Sequence, residues 1–423
     1  MSDCASAGPE PAPAPAPPMA PFLVIWGGQA FSLLGSHLVQ FAIVWWLSAS
    51  SNSATVLAYA SLVALLPQII IASFAGALVD RWSRRRILIG ADSAIALATL
   101  LLALLFHLDA IRLWHVYALL FVRATGAAFH WPAMQASTAL MVPNRHLARV
   151  GGLNHTLVGL ASIVIPPLGA LAVVVLPMQG ILAIDVVTAL IAIVPLLFIA
   201  IPRPTRAVTA GRRPTVLADM RAGLRYILLW RGLLLLTIMA VLINLLGRAA
   251  GSLAPILVMR DLGGGALELG AFQSAGGIGG VLGGITLGIW GGSRRRMASA
   301  LLTLALDGLV MAVVGLSPAT AFPLVIAMVL ASGFLETLVF GLMGAAGQAV
   351  IPPEVQGRVF SLHSALANLA APLGLLIAGP VADALSVQFW WLITGVVIGL
   401  IGAGGLLMPS VVGFEERPRP ALA

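Results

Sequence analysis

Lysine is absent from the chain, and all 23 of its cationic residues are Arg. Charged residues of both signs fill only 9% of the 423 positions, against about 25% in a soluble domain. A single cysteine, Cys4, excludes disulfides, cysteine metal sites and dithiol redox chemistry. The glycine-rich phosphate-binding pattern of ATP-driven pumps is missing. No hydrolase serine, paired carboxylates or metal cluster marks an enzyme, and no cofactor is expected. His37, His130, His155 and His363 lie at the wrong spacing for a metal site and read as helix-packing or cavity residues. A pI near 11.2 would suggest nucleic acid in a soluble chain. Here no basic–aromatic groove pattern accompanies it, so nucleic acid is excluded as a partner.

What remains is apolar. Hydrophobic residues make up 60% of the chain, with a mean hydropathy of +1.04. They come in blocks long enough to cross a bilayer at about 1.5 Å per residue. Twelve such segments stand out: 22–47, 55–79, 87–107, 113–137, 151–176, 181–201, 232–258, 268–290, 297–316, 321–346, 359–383 and 388–409. The roughly ten-residue alternating runs of a membrane β-barrel are absent. Arg is concentrated after the even-numbered segments, as in "DRWSRRR" (80–86) and "SRRR" (293–296). The loops "SASSNS", "LPMQG" and "SPATA" after segments 1, 5 and 9 have none. By the positive-inside rule the even loops and both termini are cytoplasmic. The expected location is the bacterial inner membrane, with multiple passes.

The second half repeats the first. "SRRRIL" at 83–88 returns as "SRRRMA" at 293–298, and "VPNRHLARV" at 142–150 as "IPPEVQGRV" at 351–359. Pro167–Leu168–Gly169 is matched by Pro372–Leu373–Gly374. A duplication of an even number of helices gives two parallel halves around a central cavity. The expected organisation is a Pro/Ala tail over 1–20, a six-helix half over 21–201, a linker over 202–231, a second half over 232–409 and a tail over 410–423. In the linker, Leu217, Met220, Leu224, Ile227 and Leu228 share a helical stripe, with Arg221 and Arg225 on another. That pattern predicts an amphipathic helix at the membrane surface.

"GALVDRWSRRR" (76–86) matches G-x-x-x-D-R-x-x-R-R through Gly76, Asp80, Arg81, Arg84 and Arg85. With twelve helices in two parallel halves, it resembles the helix 2–3 signature of the major facilitator superfamily. The resemblance implies an all-α membrane fold in which Gly76 admits a close neighbour and Asp80 holds a cytoplasmic gate. In the second copy Thr286 and Trp290 replace Gly76 and Asp80. "WGGQAFSLLGSHLVQFAIVWWL", "LFVRATGAAFHWPAMQASTALMVP" and "ILAIDVVTALIA" resemble the macrolide-efflux branch of drug:proton antiporters. Gly152, Pro166 and Gly169 sit at the spacing of an antiporter motif in helix 5, although Ala161, Ile165 and Ala170 replace expected glycines.

Ionisable groups within the apolar segments are functional candidates. Arg123 stands near mid-segment, where the resemblance implies proton transfer; a structural pair is the alternative. Asp92, Asp185, Arg248 and Glu336 are the other proton-coupling candidates. Asp92 is close enough to the segment end to reach a loop Arg, and Asp185 lies near the outer end of segment 6. If Arg248 and Glu336 face one cavity, they pair, either as a switch or as a static buried bridge. Asp383 reads as a helix-end group. Gln29, Ser32, His37 and Gln40 on segment 1, with Asn244 on segment 7, are candidates to line a mostly aliphatic cavity. The expected function is export of amphipathic, macrolide-like small molecules by proton antiport. The alternatives are dedicated export of an endogenous metabolite such as a siderophore, a lysolipid transporter, or a non-transporting sensor. Expected partners are the small molecule, protons and membrane lipid, with the chain a monomer.

Overall fold

The computed structural model describes residues 19–202 and 216–415. The side chains of 72–81, 216–219 and 222 also lie outside the described residues. So do the expected N-terminal tail up to residue 18, linker residues 203–215 and the last eight residues of the C-terminal tail. The described residues are helical, with no strand among them.

Within a hydrocarbon layer every backbone N–H and C=O needs an internal partner, and a helix supplies one from its own sequence. The first six helices are α1 Met19–Ser51, α2 Ala54–Arg81, α3 Arg84–His107, α4 Leu113–Met141, α5 Asn144–Val175 and α6 Met178–Phe198. After α7, Val216–Leu229, follow α8 Arg231–Ile256, α9 Ala266–Trp290, α10 Arg296–Leu316, α11 Phe322–Val350, α12 Pro353–Ala384 and α13 Val387–Leu407, then the single turn α14, Pro409–Val412. A π-helical turn, Leu257–Asp261, extends α8. The short arginine-rich turns end their helices differently. Gly291 and Gly292, at φ 71° and 86°, stop α9 in the left-handed region where a side chain would be strained. α2 instead ends at Arg81 with no glycine at its cap and breaks at Trp82–Ser83.

Among the described residues, eleven helices are long and apolar enough to cross a membrane. The twelfth expected segment, α4, is equally long at 29 residues. Arg123, His115 and His130 reduce its hydropathy, and it spans the bundle by packing on α2 and α3. Every span begins or ends within a few residues of its apolar segment. The largest extension is on α5, which starts at Asn144 rather than 151 because the polar stretch "NRHLARV" continues the helix.

The packing repeats between halves. In the first, α1 lies on α5 and α6, α3 on α4 and α6, and α2 on α4. In the second, α8 lies on α12 and α13, α10 on α11 and α13, and α9 on α11. The Pro-Leu-Gly repeat makes equivalent contacts: a Cβ on Gly169 of α5 would meet Phe41 of α1, and one on Gly374 of α12 would meet Leu245 of α8. Small residues let the backbones approach where hydrophobic burial alone gives no drive. A close crossing lined by glycine on both sides is α10 on α13, where Gly308 and Gly315 face Gly395 and Leu392.

The halves meet through α2 against α12 and α5 against α9. For reference, the end of the bundle where α1 starts and α13 finishes is called the termini face. α7 sits there, with Trp230 just beyond its end stacked on Phe414 at 4.5 Å and Gly223 against the Arg358 carbonyl of α12. The expected apolar stripe of α7 is divided. Ile227 is buried with Tyr226, while Met220, Leu224 and Leu228 are exposed beside Arg221 and Arg225. Ile227 turns inward because the C-terminal turn of α7 docks on the second half, which the stripe alone does not encode.

Candidate functional site

Seven residues separate Gln29 from Ser36 on α1, Asp92 from Thr99 on α3, and Arg123 from His130 on α4. Seven residues are close to two helical turns, so each pair projects from one face about 10 Å apart. The three helices therefore carry two polar tiers into the interior of the first half.

The tier farther from the termini face centres on Asp185 of α6, which is fully buried. Its Oδ2 lies 2.6 Å from Arg123 Nη1 and accepts from Thr99 Oγ1 at 2.9 Å; its Oδ1 accepts from Ser36 Oγ at 2.9 Å. Arg123 also donates to Thr99 Oγ1. A buried carboxylate and guanidinium survive desolvation only when their hydrogen bonds are satisfied, and here α1, α3 and α4 all contribute. Arg123 and Asp185 were separate candidates in the sequence; the fold joins them. Gly35 explains the approach of α6 to α1, since a Cβ there would strike Thr188.

The second tier joins Asp92, Gln29 and His130. Gln29 Nε2 donates to Asp92 Oδ2 at 2.8 Å, and its Oε1 lies 2.7 Å from His130 Nε2. His130 Nε2 is 3.4 Å from Asp92 Oδ1. This corrects two expectations. Asp92 does not reach a loop Arg; it points into the bundle, 3% exposed. Gln29 and Ser32 are buried in the first half rather than lining an open cavity. A helical wheel cannot separate the cavity face of α1 from its packing face, because both carry polar residues. His37 and Gln40 on α1 are exposed, and Asn244 on α8 is half-buried with its amide on the Ala240 carbonyl.

In the second half Asp307 of α10 accepts from Ser332 Oγ of α11 at 2.6 Å. Glu336 lies one turn farther along α11. Arg248 of α8 and Glu336 are both exposed, which corrects the static buried bridge. Among the described residues neither has an ion-pair partner within 4.0 Å. They are near enough to act on one another electrostatically. Charges at mid-span without a contact partner require water, not lipid, around them.

Gly76, Asp80 and Arg81 have side chains outside the described residues. The neighbouring arginines hold the first half together. Arg84 donates to the Ala136 carbonyl of α4, and Arg85 to the Leu196 and Leu197 carbonyls at the end of α6, where helix carbonyls lack internal partners. In the second repeat Arg296 lies 3.7 Å from Glu415, while Trp290 is exposed. On α5, Pro166 meets Gly270 of α9 and Gly169 meets Phe41, whereas Gly152 has open space where a Cβ would be.

At the face opposite the termini, Asp383 links the halves. Its carboxylate accepts from Ala54 N at 2.7 Å, Thr55 N at 2.9 Å and Ser53 Oγ at 2.8 Å, capping the start of α2. Arg260 of the π-helical turn lies 3.5 Å from it and donates to the Ala382 carbonyl. Asp261 caps α13 through Gln388 N. Asp383 is thus a helix-end group, as expected, but one that clasps the other half. Its sequence carries no sign of this, because the partners are backbone amides 329 residues away. Farther in, Ser274 of α9 donates to the Ile163 carbonyl of α5, and Gly277 abuts Ser162. Toward the termini face the same helices are exposed at Leu153, His155 and Thr156 on α5 and at Leu282, Ile285 and Ile289 on α9.

Two equivalent six-helix halves, charge clusters buried within the spans, and a clasp at one face define a multi-pass membrane transporter. The chain belongs to the Major Facilitator Superfamily, whose profile matches residues 25–375. It is 32% identical over 377 residues to macrolide efflux protein A of Streptococcus pyogenes, covering 89% of this chain and 93% of that protein. It is 26% identical over 412 residues to the multidrug efflux pump Tap of Mycolicibacterium fortuitum, covering 95% and 98%. Among solved structures, a bacterial homologue of the iron transporter ferroportin in an inward-facing state superimposes with a TM-score of 0.67 at 14% identity, covering 91% of this chain and 98% of that one. A D-xylose–proton symporter superimposes at 0.64 and 14% identity, covering 92% and 96%. These two superpositions establish the shared fold.

Proposed function

We propose that this transporter exports amphipathic, macrolide-like molecules by proton antiport and alternating access, with the termini face cytoplasmic. The observation that carries the coupling is the buried Arg123–Asp185 pair held by Ser36 and Thr99. A proton on Asp185 neutralises the carboxylate, frees Arg123 from its ion pair and alters the packing of four helices at once. Such a change is the differential interaction an alternating-access equilibrium needs. The direction of transport rests on relatives named for efflux. The expected residue ranges of the two halves and of the linker belong to the same proposal.

Glu336, with Arg248 facing it, supplies the second half's contribution, and His37, Gln40 and Asn244 offer polar anchors to the cargo. Gly76, Asp80 and Arg81 at the end of α2, with Arg84 and Arg85 beyond, form the cytoplasmic gate. The helix-5 residues Gly152, Pro166 and Gly169 let α5 move against α1 and α9. A potential of 100 mV is worth about 2.3 kcal/mol per charge, a gradient of roughly fifty-fold for one proton.

Accumulation of erythromycin and a fluorescent dye in a pump-deficient bacterium tests the reading. Expression should lower accumulation. Protonophore, Asp80→Asn or Asp185→Asn should each abolish the effect. Glu336→Gln should abolish proton-driven export while leaving counterflow intact. Accumulation equal to that in empty cells, with the protein present in the membrane, would reject macrolide export and turn the assignment to a dedicated metabolite or lipid cargo.

A further inference from the structure

The tier nearer the termini face has no part in the coupling described so far, yet it has the parts of a proton-binding site. Asp92 is buried, with the amide of Gln29 and the imidazole of His130 as its polar contacts. Gln29 fixes their roles. Its Nε2 donates to Asp92, so its Oε1 faces His130 Nε2 as an acceptor. Both atoms facing His130 Nε2 are therefore acceptors, and this nitrogen carries the ring hydrogen. Nδ1 is left as the nitrogen that takes up a further proton.

The geometry points to a second proton-binding site, shared by Asp92 and His130 and bridged by Gln29, on the termini-face side of the Arg123–Asp185 pair. This rests on the proposed coupling role of that pair. The charge balance is simple. With carboxylate and neutral imidazole the site carries −1. One added proton, on Nδ1 or on Asp92 Oδ1, makes it neutral, and its movement between them changes no net charge. Among the described residues, the titratable groups facing Asp92 are His130 from α4 and Asp185 from α6, the latter with Arg123. The field of Asp185 reaches Asp92. Between the tiers α1 places Ser32, three residues from Gln29 and four from Ser36, also buried. A proton leaving Asp185 therefore has a polar path toward Asp92 along one face of α1. The Asp185 O–H bond breaks, the Arg123 pair reforms, and Asp92 or His130 takes the proton.

The test is a pH titration of the purified full-length protein by infrared difference spectroscopy, reading the carboxylic C=O stretch. Wild type minus Asp92→Asn should isolate one band that titrates. In His130→Gln, which keeps a hydrogen-bonding partner for Gln29 but removes the imidazole that shares the proton, that band should move by about one pH unit. In Asp185→Asn it should move as well, because the tiers interact. No titrating band lost in Asp92→Asn, or a band unmoved in His130→Gln, would overturn the shared site. If Asp92→Asn does not fold, ring-proton NMR of His130 in wild type decides the same question: titration supports the site and its absence overturns it. Wild-type transport insensitive to protonophore would instead remove the coupling role of Arg123–Asp185, leaving this titration in place. The two failures are therefore distinguishable.

Discussion

Arg123 and Asp185 show how a residue's meaning depends on its partner. Each alone in a helix would be an uncompensated charge in a low-dielectric interior. Removing one partner of such a pair is destabilising by about 3–5 kcal/mol, because the other stays buried and unpaired. Arg123→Gln and Asp185→Asn should each lower the melting temperature of the purified protein. The double variant should recover most of the loss, since it leaves no lone charge. A double variant as unstable as the sum of the two would show that the pair does not act as a unit. Pumping should be absent in all three, which separates the chemical role from the stabilising one. The pair was half legible in the sequence. Charges inside apolar segments announce themselves, but nothing in the spacing joins position 123 to position 185. Asp92 was misdirected for the same reason: loop arginines are near in sequence, and Gln29 and His130 are near only in space.

Helices in a membrane already have their backbones satisfied, so what distinguishes one packing from another is shape. The α10–α13 crossing is built on Gly308, Gly315 and Gly395, and an added side chain meets backbone rather than a movable neighbour. Gly395→Leu should destabilise the second half by about 1–3 kcal/mol or more, as overpacking does, and reduce the protein recovered from membranes. Gly288→Ala on α9, where nothing lies within 4 Å of the new carbon, should be neutral or slightly stabilising, because glycine is a poor helix residue. Comparing the yields and melting temperatures of the two variants checks the argument. Helix ends were readable to within a few residues from apolar runs and prolines. The register of one helix on another was not, because glycine marks a close approach without naming its partner. α7 illustrates the gap: its amphipathic composition was legible, while the burial of Ile227 required α7 to dock on α12 and Trp230 to stack on Phe414.

For the molecule as a whole, the balance between conformers is set where the halves touch. The Asp383 carboxylate on the start of α2 is such a contact, and a capping interaction is worth about 1 kcal/mol, or roughly a five-fold population change. Asp383→Ala should open the face opposite the termini. Replacing Cys4 by Ser and spin-labelling cysteines introduced at Val175 and Leu267, exposed ends of α5 and α9, lets a distance measurement read the change. The variant should show a longer mean separation than its parent; an unchanged distribution would mean that Asp383 caps a helix without restraining the halves.

Composition and periodicity by themselves determined that this chain lies in a membrane, that it crosses many times, and that its second half repeats its first. Those properties follow from hydropathy and spacing, which are local, and from duplication, which leaves the order of residues intact. The superfamily was legible too, because the helix 2–3 signature is contiguous. Tertiary structure alone decided which buried charges meet, which face of α1 is packed, that Arg248 and Glu336 stand apart in the open, and that Asp383 clasps the opposite half. Each of these is a contact between residues tens to hundreds of positions apart, and its energy depends on distance and desolvation, neither of which is written along the chain.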